Sequence, residues 1–204
     1  MPKFKLIYFD LMARAEPIRL ILAHAGVAYE DHRFQFQDWP ALKPQTPFGS
    51  VPVLEVDGKP LAQSHAICGY LGKLYGLSGK DALEEAKCYM YAGGVEDLFV
   101  GITPYFRTQD PEEKKKIYSE SVTKTIKPFL SRFDKFLQEN STGYLVGNSI
   151  TWADFFFFHC ATFLLSDKDN LNVDDYPHVK KLQETIANLP KVKHWIETRP
   201  KTPF

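Results

Sequence analysis

Cysteine is scarce: three in 204 residues, Cys68, Cys88 and Cys160, far apart and without a Cys-x-x-Cys. That excludes a disulfide framework and a zinc-thiolate site and points to reduced thiols. No run approaches the about 18 apolar residues that a membrane span needs. The opening MPKFKLIYFD carries charges inside its short apolar run and no small-residue cleavage site, so a cytoplasmic protein is expected. The six histidines show no metal-ligand spacing, and neither a metal nor a prosthetic group is called for. Neither sign of charge prevails, with 25 Lys+Arg against 25 Asp+Glu, which leaves no net field for nucleic acid or an anionic membrane. Repeats and low-complexity tracts are missing too. The sequon Asn140-Ser141-Thr142 lacks an export signal and reads as chance. What remains is a chain 44% hydrophobic and 25% charged, ordinary for a globular protein.

The first 76 residues mix two periods. KFKLIYF reads as a strand, and AEPIRLILAHAG has apolar residues at helical spacing up to Gly26, where a helix-ending glycine belongs. AYEDHRF alternates as a second strand. VLEVDGKPLA is a hairpin, because Asp57-Gly58 is a favoured two-residue turn, and Ser64 opens a helix through Tyr75 that ends at Gly76. The order is βαβ, a short helix, then ββα. From Lys80 on the pattern is helical, broken at TQDPEEKK, NSTGYLVGNS and DDYP. We therefore expect an α/β domain over 1–76, a linker over 77–80 and an all-α domain over 81–204. In the latter, Thr151 and Asp154 form a capping box, with Ile150 and Phe155 at the staple positions. The Phe155 to Phe158 run that follows is apolar on every side and belongs in a core.

Three segments suggest a ligand groove. Pro52 heads a strand-like run but cannot donate to a ladder, and Val51 before it is pushed to an extended conformation. An extended Val51 before a cis proline presents backbone N–H and C=O to an extended peptide. Gln63-Ser64 falls at a helix N-terminus, where hydroxyl, N–H groups and dipole favour a carboxylate. Trp39 and Lys43, in DWPALK, offer an indole N–H and an ammonium to a second one. Tyr8 ends the first strand, before a loop leading through Arg14 into a helix, a place where α/β folds put ligands.

Tyr8-Phe9, Ala15-Glu16-x-x-Arg19, Trp39-Pro40, Phe48-Gly49-x-Val51-Pro52-Val53-Leu54, Gln63-Ser64-x-Ala66-Ile67 and Thr151-Trp152-Ala153-Asp154 together resemble the cytosolic glutathione transferases. The sigma class, with its haematopoietic prostaglandin D synthases, is the nearest match. Thioredoxins and glutaredoxins share the Val-Pro step but require a Cys-x-x-Cys or Cys-x-x-Ser where this chain has YFDLMARAE. The resemblance implies an α/β thioredoxin-like N-terminal domain plus an all-α C-terminal domain, in a homodimer that conjugates glutathione to hydrophobic electrophiles at the cleft between the domains.

By the same resemblance, Tyr8 donates its hydroxyl to the glutathione sulfur, with Arg14 as its catalytic companion. Ser50, Val51 and Pro52 meet the cysteinyl backbone, Gln63 and Ser64 the γ-glutamyl carboxylate, and Trp39 and Lys43 the glycyl end. Asp97 reaches across the dimer to the α-amino group, and Gly93-Gly94 before it suits close helix packing at the two-fold axis. The second-substrate pocket is drawn from Phe9, Leu11, Met12, Arg14, Phe99, Thr103, Tyr105, Phe156 and Cys160. A thiol with a pKa of about 8.5 reacts as thiolate, and lowering that value by about two units takes roughly 2.7 kcal/mol. One hydrogen bond to a charged group supplies about 1.5 to 3 kcal/mol. Three departures stand out: Met12-Ala13 replaces the usual Arg-Gly, Ser50 a longer polar residue and Gly69 an arginine. The first leaves open a non-catalytic ligand carrier or crystallin-like protein, and prostaglandin isomerisation would use the same thiolate. Docking of Phe48 into the partner subunit is also left open.

Overall fold

Strand β1, Phe4–Phe9, buries Phe4, Leu6 and Tyr8 and leaves the side chains between them half-exposed. The two-residue period of a strand thus already decides that Tyr8 is a buried tyrosine. The computed structural model describes residues 2–202. They form two compact units, residues 2–78 with 187–202, and Gly79–Ile186.

In the first unit β2 (Glu30–Phe34), β3 (Val53–Val56) and β4 (Lys59–Ala62) complete a sheet of order β2-β1-β3-β4. β1 runs parallel to β2, and the other two pairs are antiparallel. A parallel pair needs a crossover, supplied by α1, Glu16–Ala25, whose end is set by Gly26 at φ 71. The β3–β4 hairpin turns on Asp57 and Gly58, both at positive φ (50 and 78), the geometry their dipeptide favours. Helices α2 (Trp39–Leu42) and α3 (Ser64–Leu74) follow β2 and β4. The βαβ, short helix, ββα order read from sequence holds throughout.

The second unit contains α4 (Ala82–Arg107), α5 (Pro111–Ser121), a π-helical turn (Val122–Ile126), α6 (Lys127–Asn140), α7 (Trp152–Leu164) and most of α8 (Pro177–Ala187). Aspartates start two of them: Asp81 accepts the N–H of Glu84 at 2.9 Å and Asp110 that of Glu113 at 2.8 Å. Residues Phe155 to Phe158 are all buried, and Phe157 stacks on Phe133 with ring centres 4.2 Å apart. The capping box forms at Thr151 and Asp154. The Asp154 carboxylate accepts from the N–H groups of Leu145 and Thr151, each at 2.7 Å, and from the Thr151 hydroxyl at 2.8 Å. Complete burial nevertheless raises its pKa to about 6. At the sequon, the Asn140 amide nitrogen lies within 2.9 Å of Thr142 Oγ1 and the carbonyls of Tyr144 and Gly147, so it closes a helix end.

The chain end departs from the expected boundaries. The sequence reading assigns all of 81–204 to the helical domain, yet 187–202 joins the first unit. Helix α9, Pro190–Thr198, packs on α1. Hydrogen bonds from Trp195 and Arg199 to the buried Glu16 hold it there.

Candidate active site

The sheet register gathers most of the candidate residues of the first unit. Ile7 pairs with Val53, and Val53 with Ala62. One step past that row lie Tyr8 on β1, Val51-Pro52 ahead of β3 and Gln63-Ser64 after β4, all leaving the same end of the sheet. On the other flank Tyr8 pairs with Arg33 and Phe9 with Phe34, from which the chain runs on to Trp39 and Lys43.

The Tyr8 hydroxyl accepts the backbone N–H of Arg14 at 3.3 Å. With that lone pair engaged, the phenolic proton is left to donate elsewhere. Burial pushes the phenol above its usual 10, against the pull of the Arg14 N–H and of the Arg14 and Arg19 charges. At neutral pH Tyr8 is therefore a hydrogen-bond donor and not a base. The contact from Arg14 comes from its backbone, and its guanidinium acts on Tyr8 through charge.

The Val51-Pro52 peptide bond is cis. Val51 stands outside the ladder, which begins at Val53, and among the described residues its N–H and C=O have no backbone partner. Gln63 is exposed and has φ 73 and ψ 113, a strained conformation for a residue with a Cβ, costing about 1 to 3 kcal/mol. Such strain clusters where geometry serves a site. Ser64 beside it is buried and opens α3, so a helix N-terminus faces this end of the sheet. Gly49, at φ 60, lets the Lys43 side chain approach: Lys43 Cε lies 3.4 Å from where a Cβ would sit. Ser50 is exposed.

Phe9 is engaged within its own unit. Its ring lies 4.6 Å from Phe34, 4.5 Å from Phe36 and 5.6 Å from Trp39, centre to centre. Sequence reasoning missed Phe34 and Phe36, although their alternation in HRFQF was a readable signal. Leu11 and Met12 are half-buried on the loop after β1, and Ala13 sits at φ 29, where the glycine usual there would be unstrained.

The remaining candidates lie in the second unit. Phe99 and Thr103 share a face of α4, the Thr103 hydroxyl donating to the Phe99 carbonyl at 2.7 Å. Tyr105 packs against Tyr118 at 5.0 Å under the Lys114 ammonium. Phe156 and Cys160 are buried on α7, and burial raises the Cys160 thiol well above its ordinary value, so it is no nucleophile. Cys68 and Cys88 are also buried and outside any disulfide, the latter pushed up to about 11 by burial. Asp97 is exposed on α4 in line with exposed Leu83 and Met90. Gly93 faces open space, and a Cβ on Gly94 would meet the Phe133 ring at 3.7 Å. Among the described residues no cluster of His, Cys, Asp or Glu could hold a metal, and no helix is long and apolar enough to cross a membrane.

Comparison with known proteins adds the chemistry. Residues 4–73 match the glutathione S-transferase N-terminal domain and residues 96–199 the C-terminal domain. The chain is 41% identical to glutathione S-transferase 1 of Ascaris suum, over 100% of both chains. It is also 41% identical to the hematopoietic prostaglandin D synthase of Gallus gallus, over 99% of each. Among solved structures, a monomeric glutathione S-transferase from the hookworm Necator americanus superposes with a TM-score of 0.91 at 38% identity, covering 99% of this chain and 100% of that one.

Proposed function

Because the chain belongs to the glutathione S-transferase family and is an enzyme of that kind, we propose that it conjugates the glutathione thiolate to hydrophobic electrophiles, with Tyr8 as the thiolate's hydrogen-bond donor. The observation that carries this reading is the buried, protonated Tyr8 hydroxyl, its oxygen occupied by the Arg14 N–H and its proton free for a partner. A hydrogen bond from such a donor to sulfur is stronger for thiolate than for thiol, so it lowers the thiol pKa and raises the reactive fraction.

The other roles are assigned accordingly. Val51, beside Ser50 and Pro52, pairs with the cysteinyl backbone of glutathione through its unpaired N–H and C=O. Gln63 and Ser64 hold the γ-glutamyl carboxylate at the start of α3. Trp39 and Lys43 hold the glycyl end. The family resemblance assigns Phe9, Leu11, Met12, Arg14, Phe99, Thr103, Tyr105, Phe156 and Cys160 to the second substrate, a mostly apolar set that suits electrophiles such as lipid-peroxidation aldehydes. The exposed row of Leu83, Met90 and Asp97 and the exposed Phe48 support a homodimer in which Asp97 serves glutathione bound to the other subunit. Three buried cysteines, none in a disulfide, accord with a cytoplasmic location.

Retention on glutathione resin followed by turnover of a generic aryl halide tests the reading, and retention without turnover would favour a ligand carrier. Sedimentation tests the dimer; the hookworm relative, described as monomeric, gives that measurement a real alternative. A second reading, glutathione-dependent prostaglandin isomerisation of the sigma class, is favoured by the equal 41% identity to the chicken synthase. Assay with a prostaglandin endoperoxide separates the two.

A further inference from the structure

Glu16 is fully buried at the first turn of α1, where a carboxylate is tolerated only if it is paired. Two of its partners come from far along the chain. The Trp195 indole N–H and Arg199 Nη1 donate to Oε1 at 2.8 and 2.6 Å. The other oxygen, Oε2, stands 3.5 Å from Nη1 of Arg19, which is also fully buried. That is long for a charge-assisted bond. The same Nη1 donates at 2.6 Å to the carbonyl of Leu11, while Nε of Arg19 is held by Asp31 at 3.2 Å. Arg19 is thus shared between a carboxylate and the loop after β1.

Arg199 tips that sharing toward the loop. With Oε1 occupied by a guanidinium, Glu16 exerts less pull on Arg19; with that charge removed, the buried carboxylate would lean more on Arg19 and draw Nη1 off the Leu11 carbonyl. Leu11 lies three residues before Arg14, in a tight turn where the Met12 carbonyl accepts the N–H groups of Ala15 and Glu16 at 3.2 and 3.0 Å. The Arg14 N–H that meets the Tyr8 hydroxyl is part of that turn. The Arg19 guanidinium also lies 6.0 Å from the centre of the Tyr8 ring.

We infer that Arg199 and Trp195 are positioning residues for Tyr8: by holding Glu16 they leave Arg19 on the Leu11 carbonyl, which fixes the turn presenting the Arg14 N–H to the Tyr8 hydroxyl. The inference rests on the reading of Tyr8 as the thiolate's donor. A merely structural ion pair would lower stability and leave the acidity of the bound thiol untouched.

The test uses the full chain with Arg199→Ala, Arg199→Lys and Trp195→Phe. It follows the thiolate absorbance of bound glutathione against pH, kcat and KM with an aryl halide, and Tm. For Arg199→Ala the thiol pKa should rise by about half a unit to one unit. The kcat should fall roughly three- to ten-fold while KM for glutathione stays within about two-fold. Arg199→Lys should restore part of the shift, and Trp195→Phe should give a smaller one in the same direction. An unchanged thiol pKa in folded Arg199→Ala and Trp195→Phe overturns the inference; if Arg199→Ala does not fold, Trp195→Phe decides alone. A wild type whose bound thiol titrates like free glutathione overturns the Tyr8 reading and this inference with it, an outcome distinct from a lowered wild-type value that the variants leave in place.

Discussion

The two units bury polar groups to different ends. In the helical unit Asp154 sits under three donors and terminates a helix, surrounded by an aromatic core in which Phe133 and Phe157 stack. In the sheet unit Glu16 and Arg19 are equally buried, but their bonds lead to the loop beside Tyr8, and the nearby Gln63 backbone is strained. The first arrangement serves stability, and the second places side chains and backbone for chemistry. Substitutions in the helical unit should therefore register in Tm, and those at the end of the sheet in rate or affinity.

The largest effect should come from Asp154→Ala, which leaves the N–H groups of Leu145 and Thr151 without their acceptor. A loss of about 2 to 4 kcal/mol is expected by denaturant titration. The pH dependence sharpens the point. The folded value of about 6 lies above the ordinary 3.8, so the folded chain binds the extra proton and this group's contribution to stability falls as pH rises from about 4 to about 6. The gap between wild type and variant should narrow over that window, and a gap independent of pH would contradict the assignment.

Tyr8→Phe should leave Tm nearly unchanged and lower turnover roughly ten- to a thousand-fold, about 1.4 to 4 kcal/mol. Glutathione affinity should stay within a few-fold. Equal turnover in the two proteins, with chemistry rate-limiting, would remove Tyr8 from the mechanism. Ser64→Ala should act on binding instead, weakening glutathione by about 1 to 3 kcal/mol in calorimetric titration. An unaltered Kd would move the γ-glutamyl carboxylate away from the start of α3.

Ala13→Gly should be the mildest. Relief of the φ of 29 is set against the added freedom of glycine in the unfolded chain, which leaves a net stability change of about 1 kcal/mol or less. The companion Met12→Arg should reorder preference among electrophiles while glutathione affinity holds, measured as kcat/KM over a set of aryl halides and aldehydes.

Much of this was readable from sequence wherever the determinant is local. Gly26, Asp57-Gly58 and the Thr151–Asp154 box each fix a boundary within four residues, and each formed. The motif-bearing residues Tyr8, Val51 and Gln63 likewise meet at one end of the sheet, because the strand pattern already implies the register. The π-helical turn at Val122–Ile126 carries no such punctuation, since neither glycine nor proline lies inside it. The strain at Gln63 is equally silent, because a positive φ there follows from what the neighbouring strand and helix demand. Least visible was the return of the chain end. Glu16 and Arg19 entered the sequence reading only as part of the Ala15-Glu16-x-x-Arg19 motif, and nothing near them in sequence names Trp195 or Arg199 as partners.

That return has a consequence for the order of synthesis. Residues 79–186 are continuous, so the helical unit has all of its chain once Ile186 has emerged. The sheet unit is begun first and completed last: the bonds from Trp195 and Arg199 to Glu16 span 179 and 183 residues. Until the final segment leaves the ribosome, Glu16 lacks two of its donors and the face of α1 that receives α9 stays open. A released chain truncated after Ile186 would hold the whole helical unit and an unfinished sheet unit, and the binding of glutathione would report the completion of the latter.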